Sequence, residues 1–292
     1  MKNHHSVEHR IEKIRNVFHQ TLYISTENDD LSIAKHLESI DLEFRAVAFE
    51  GVAMALASKD LAEGNLQRWR SFMRTSDQRY APHLLVGLGW AIAKRKIQSL
   101  FFLDGLNPLM LYRVLDGCGY YDGMFKQNQV IHDKVRPEYI DENKIDAYYE
   151  GIGRSLWSIC KGDSMKVNTL IQGFSPSHHA DLWRGVGIAC SFVGGCSETT
   201  LHELFSSASE HRLQLAVGAA IVAKSRIQTN SLTEDSELTC RVWCNLSAEQ
   251  AKIVAEEPPY PIIPGDAYKQ WLMKIEVRLL CRQNDTITQS VL

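Results

Sequence analysis

The sequence predicts an all-α fold: one pseudo-duplicated, multi-helical body of helix-pair repeats around a central cavity or groove. Three observations predict it. Apolar residues recur at spacings of three and four, as in Phe44, Val47, Ala48, Val52, Ala55 and Leu56, while strand-like alternation of β-branched residues is scarce. Four of the eight prolines, Pro82, Pro108, Pro137 and Pro176, open segments with helical spacing, where the missing N–H costs no intrahelical bond. The chain also writes one four-residue word four times, aromatic, charged, glycine, aliphatic: Phe49-Glu50-Gly51-Val52, Tyr121-Asp122-Gly123-Met124, Tyr149-Glu150-Gly151-Ile152 and Trp183-Arg184-Gly185-Val186.

With Gly87 and Gly218, which stand in similar apolar company, the series runs 51, 87, 123, 151, 185, 218, at intervals of 36, 36, 28, 34 and 33. Periods of about 20 to 50 residues mark repeated supersecondary units, and those near 34 suit helix pairs. Glycine inside a helix costs about 0.5–1 kcal/mol relative to alanine, so its return at matching positions predicts close helix approach. The word-bearing helices are therefore expected on the inside.

In chain order, residues 1–28 form an N-terminal helix and lead-in, and 29–100 the first repeat half. Residues 101–147 connect the halves and are rich in Asp-Gly steps, with Asn107 as the cap expected before Pro108. Residues 148–230 form the second half, with Ser175 as the cap before Pro176. Phe49 to Ala55 answers Trp183 to Ala189, and Ala93 to Gln98 answers Ala223 to Gln228, at offsets of 134 and 130. Residues 231–292 supply closing helices and a tail; Ser247-Ala248-Glu249-Gln250 has the capping-box arrangement, and Pro258, Pro259, Pro261 and Pro264 make 256–265 a rigid loop.

Composition excludes several classes of function. At 292 residues and 45% hydrophobic content the chain can bury a sizeable core, and a net charge of -3 supplies no basic field for nucleic acid. The longest apolar run, Leu84 to Ala93, falls well short of the roughly 18 residues a membrane helix needs, so the chain is not expected to span a membrane. Its N-terminus lacks the apolar stretch of an export signal, which predicts a cytoplasmic protein. Seven cysteines, an odd number, read as free thiols.

Gly-x-Gly occurs at 87/89, 117/119, 151/153 and 185/187, but without the strand, third small residue and distant acid of a dinucleotide fingerprint; its repetition reads as packing, and no cofactor or metal is expected. No Gly-x-Ser-x-Gly elbow and no phosphate-cradling loop is present, so the common hydrolase and kinase readings gain no support. The densest polar signal is the middle stretch, where Asp104, Asp116 and Asp122 each precede glycine. Carboxylates in aromatic company, as in Tyr120-Tyr121-Asp122, are candidates for raised pKa and hence for acid catalysis. Among the charged letters, Glu50, Glu150 and Arg184 either pair with one another inside or point to water.

Several strings together resemble a bacterial family of unknown function, the UnbL-type proteins encoded beside enediyne polyketide synthases: Phe49 to Leu56, Gly87-Leu88-Gly89-Trp90-Ala91, Leu115 to Tyr120, Gly151 to Trp157, Asp181 to Gly187 and Glu237 to Arg241. The resemblance runs in order from about residue 40 to 280. It implies a cytosolic role in secondary metabolism around a polyketide synthase that makes a linear polyene.

Two functions follow as expectations. One is an enzyme that cyclises or rearranges a linear apolar polyene by acid catalysis. Asp116, Asp122 and Glu150 would be its acids, and the rings of Tyr120, Tyr121, Tyr149, Trp157 and Trp183 would steady cationic character. Asp104, His132, Arg136 and Arg184 complete the substrate-contacting set, with His132 and Arg136 on a polar end group. The other is a noncatalytic helical-repeat scaffold that holds a carrier domain or hydrophobic intermediate. The scaffold predicts that the acids are paired or exposed and that there is no enclosed pocket.

Overall fold

A computed structural model describes residues 6–97, 103, 106–138, 140, 144–257 and 267–289 of the chain. Within them stand fourteen α-helices and no strand: α1 (Val7–Glu27), α2 (Asp30–Ser39), α3 (Leu42–Ala62), α4 (Gln67–Thr75), α5 (Ala81–Arg95), α6 (Pro108–Phe125), α7 (Ile145–Ile159), α8 (Ser164–Gln172), α9 (His179–Val193), α10 (Glu198–Ser207), α11 (Arg212–Gln228), α12 (Glu234–Thr239), α13 (Ala248–Val254) and α14 (Ala267–Gln289). No helix among the described residues is long and apolar enough to cross a membrane.

Local chemistry fixes most of the helix starts. Side chains of Ser6, Asp29, Asn107, Asp163, Ser197 and Thr233 accept first-turn N–H groups, and Ser247 with Gln250 closes a full capping box. Pro82 and Pro108 lie in the first turns of α5 and α6. Two expected starts differ. Pro137 stands in an irregular stretch, and the next helix begins at Ile145. Pro176 opens only a 3₁₀ turn before α9; the Ser175 hydroxyl caps nothing and faces Ser177 Oγ at 2.9 Å. The proline-rich loop around 258–264 lies outside the described residues.

The inner helices α3, α5, α6, α7, α9 and α11 each pack on the next, and α1 packs on α3. Paired positions rise together along neighbours, 86 with 117 and 93 with 126 across α5/α6, 184 with 218 and 192 with 226 across α9/α11. The seven helices therefore run in one direction. What brings them so close is glycine. A Cβ built on Gly87, Gly117, Gly151, Gly185 or Gly218 would fall within 3 Å of a carbonyl oxygen of the preceding inner helix, from Glu50, Val86, Asp116, Glu150 and Arg184 respectively. The second glycines of the pairs, Gly89, Gly119, Gly153 and Gly187, make the reciprocal approach to the following helix. Gly-x-Gly is thus a reciprocal packing device in this fold, and in α6 the glycine in register with the others is Gly117. Gly123 faces the Ser155 side chain instead. The helical stretch expected to connect the two halves contributes α6 to the series.

The row of helices winds back on itself with an axial offset. Arg10 near the start of α1 donates to the Val193 carbonyl at the end of α9, and Arg226 near the end of α11 donates to the Glu43 carbonyl at the start of α3 at 2.6 Å. Glu43 lies eight residues before Gly51, and Arg226 eight after Gly218. Sixteen residues of helix amount to about 24 Å, so the row meets its own beginning staggered along the helices, like the ends of a lock washer. Trp157, Trp183, Trp243 and Trp271 are fully buried in the core this creates.

Candidate functional site

A pocket of about 560 Å³ draws on all six inner helices: Glu50 from α3, His83 and Val86 from α5, Arg113 and Asp116 from α6, Arg154 from α7, Ile188 and Phe192 from α9, and Ile221, Lys224 and Ser225 from α11. The size suits a small organic ligand. One side is apolar; the rest mixes cations, Arg79, Arg113, Arg154 and Lys224, with the acids Glu50, Asp116 and Glu257.

The register of the glycines explains which acids reach it. Glu50, Asp116, Glu150 and Arg184 occupy the same repeat position, one residue before the contacting glycine, and all four are buried. Asp116 Oδ2 accepts from Arg154 Nη1, while Oδ1 is buried with no hydrogen-bond partner. Burial, with further repulsion from Glu150 and Glu50, pushes its pKa up to about 7 against the opposing charges of Arg154 and Arg113. A carboxyl poised there can give or take a proton near neutrality. Arg154 also lies over the Tyr120 ring at 5.0 Å, and Tyr120 OH meets Ser158 Oγ at 3.3 Å.

Glu150 is placed differently. Its Oε2 accepts from both Arg184 Nε and Tyr268 OH, and Arg184 Nη2 reaches Asp181 Oδ1 at 2.7 Å. This closed cluster lies outside the pocket lining. Burial pushes the Asp181 carboxyl up to about 6, opposed by Arg184, and drives the Tyr268 hydroxyl well up. Asp122, six residues beyond Asp116 on α6, pairs with Lys126 at 2.6 Å and accepts from Tyr148 OH at 3.0 Å. Burial raises its pKa against the pull of Lys126. Together with Arg136 it borders a second hollow, of about 440 Å³.

The remaining sequence candidates scatter. Tyr121 packs on Phe125 at 4.7 Å, Tyr149 stacks on His178 at 3.8 Å, Trp157 and Trp183 are core, and His132 is exposed on a π turn. Asp104 lies outside the described residues. Of the expected acids, the structure brings Asp116 alone to the six-helix pocket.

Sequence reasoning missed His83, Arg113, Arg154, Lys224 and Ser225. His83 Nδ1 lies 3.2 Å from Glu50 Oε1, and its Nε2 lies 3.0 Å from Ser225 Oγ. Lys224 Nζ pairs with Glu257 at 2.6 Å, and Arg113 and Lys224 approach the Trp271 ring at 5.4 and 5.5 Å. A usable signal did exist. His83 and Arg113 each stand four residues before a contacting glycine, and Arg154 three after one, so aligning the helices on Gly87, Gly117 and Gly151 puts them on one side.

Among the described residues no three His, Cys, Asp or Glu side chains converge to hold a metal ion, and the seven cysteines are free thiols, six of them buried. A family model described as "Protein of unknown function (DUF1702)" matches residues 1–278. No curated protein and no solved structure matches the chain.

Proposed function

The chain belongs to this DUF1702 family, and from that premise we propose that the six-helix pocket is the reaction chamber of an enzyme that cyclises or rearranges an apolar, unsaturated chain by proton transfer at Asp116. The observation that carries the reading is Asp116 itself: a buried carboxyl on the pocket wall, one oxygen held by Arg154, the other without a partner, titrating near 7.

The pocket's charge refines the chemistry. Four cations against three acids leave the lining with a positive balance, which opposes a free carbocation and favours developing negative charge on oxygen. The proposed substrate is therefore a polyene bearing a carbonyl or carboxylate, protonated or deprotonated along its conjugated system, with an enolate-like charge balanced by Arg154 or Arg113. As the resemblance to UnbL-type sequences implies, this substrate would arise in cytoplasmic secondary metabolism beside a polyketide synthase.

The test uses a probe and a strain. Fluorescence titration with cis-parinaric acid, a conjugated tetraene carboxylate, is expected to saturate at one site. Metabolite profiling of a producer strain carrying Asp116→Asn is expected to show an unrearranged precursor at the expense of product. Product formation unchanged by Asp116→Asn would end this reading, and absence of any saturable site would favour the scaffold.

A further inference from the structure

A second set of groups in the same pocket goes beyond the acid at Asp116 and does not depend on it. We propose that Ser225, His83 and Glu50 form a nucleophile, base and acid relay, and that the protein transfers or hydrolyses an activated acyl group, an ester or thioester with an apolar acyl chain, through an ester on Ser225.

The geometry is that of a serine relay assembled from three helices. Glu50 Oε1 lies 3.2 Å from His83 Nδ1, and His83 Nε2 lies 3.0 Å from Ser225 Oγ. A carboxylate on Nδ1 takes that nitrogen's N–H, which leaves the Nε2 lone pair to accept the serine proton. Glu50 and His83 are buried and Ser225 is half-buried, and all three line the pocket. Beside Ser225 the apolar wall of Ile188, Phe192, Ile221 and Val222 offers a bed for an acyl chain. Such a relay is recognised by geometry and roles, not by order in the chain, so the missing elbow motif does not count against it.

In the step, Ser225 Oγ bonds to the acyl carbon as its proton passes to His83 Nε2. The carbon–sulfur or carbon–oxygen bond then breaks, and the departing thiol or alcohol takes that proton. Water repeats the sequence on the Ser225 ester, giving its proton to His83, and releases the carboxylic acid with Ser225 restored. No oxidant or reductant enters. Ser225 sits within α11, where its own N–H is spent in the helix, so the transient oxyanion is balanced by the pocket's side-chain cations, Lys224 and Arg113, rather than by backbone N–H groups.

The full-length protein is incubated with an alkyl fluorophosphonate and followed by intact mass and peptide mapping. One adduct per chain on Ser225 is expected, none in Ser225→Ala, and labelling slowed more than about a hundredfold in His83→Gln, the loss of a general base. Thermal melts of both variants establish that they are folded. Absence of an adduct on the folded wild type, an adduct elsewhere that persists in Ser225→Ala, or an unchanged labelling rate in folded His83→Gln would overturn the proposal.

Discussion

Asp116 with Arg154 and Glu150 with Arg184 are two solutions to the same problem at the same repeat position. Each places a carboxylate one residue before a contacting glycine and pairs it with an arginine from the next inner helix or, for Asp116, one turn further along it. At Glu150 the cluster is larger: Oε2 accepts from both Arg184 and Tyr268, and Arg184 also reaches Asp181. At Asp116 the one hydrogen bond comes from Arg154, Oδ1 is buried without a partner, and the residue lines a pocket. The difference teaches that a buried charge in this fold is open to chemistry where its cluster borders a pocket.

The comparison breaks most sharply at Glu150. Glu150→Ala leaves Arg184, which is 3% exposed, with Asp181 alone and leaves the Tyr268 hydroxyl without its acceptor; breaking a buried pair costs up to about 3–5 kcal/mol, and urea denaturation is expected to show that loss. A loss under about 1 kcal/mol would mean the cluster is not architectural. Next comes the glycine beneath the pair. Gly185→Ala drives a Cβ against the Glu150 carbonyl oxygen and is expected to cost about 1–3 kcal/mol by the same measurement.

Asp116→Asn sharpens the contrast, because its effect on stability should depend on pH, with a swing on the order of a few kcal/mol between pH 4 and 8. The folded pKa of about 7 lies above the ordinary value of 3.8, so the stability that comes from holding the proton is full below about pH 4 and is lost as pH rises through about 7. The variant should therefore gain on the wild type between pH 4 and 8. A difference that stays flat across this range would place the titration elsewhere. Smallest of all is Ser225→Ala, where one half-buried hydroxyl is lost and thermal melts should shift by no more than about 0.5 kcal/mol allows.

Much of this was legible in the sequence, for reasons that can be named. Helical periodicity gave the class, and the glycine repeat gave the inner helices, because a cost paid at regular intervals needs a regular compensation. The letter pattern misled at α6. Tyr121-Asp122-Gly123-Met124 spells the word, yet Leu115-Asp116-Gly117-Cys118 holds the register, since contact depends on the missing Cβ of paired glycines and not on the aromatic letter. That slip also gave Asp122 the same standing as Asp116, although the two face different hollows. His83 and Ser225 were beyond reach for another reason. They are 142 residues apart and meet only because the spiral winds back past its own beginning.

That winding has an electrostatic consequence. Every peptide unit in α1 and the six inner helices points the same way, so their dipoles add instead of cancelling as they would in an up-down bundle. Where the end of α11 meets the start of α3, a helix terminus of partial negative charge abuts one of partial positive charge, with Arg226 laid across the join. The seam of the lock-washer is thus a head-to-tail junction, held by polarity where glycine-lined packing stops.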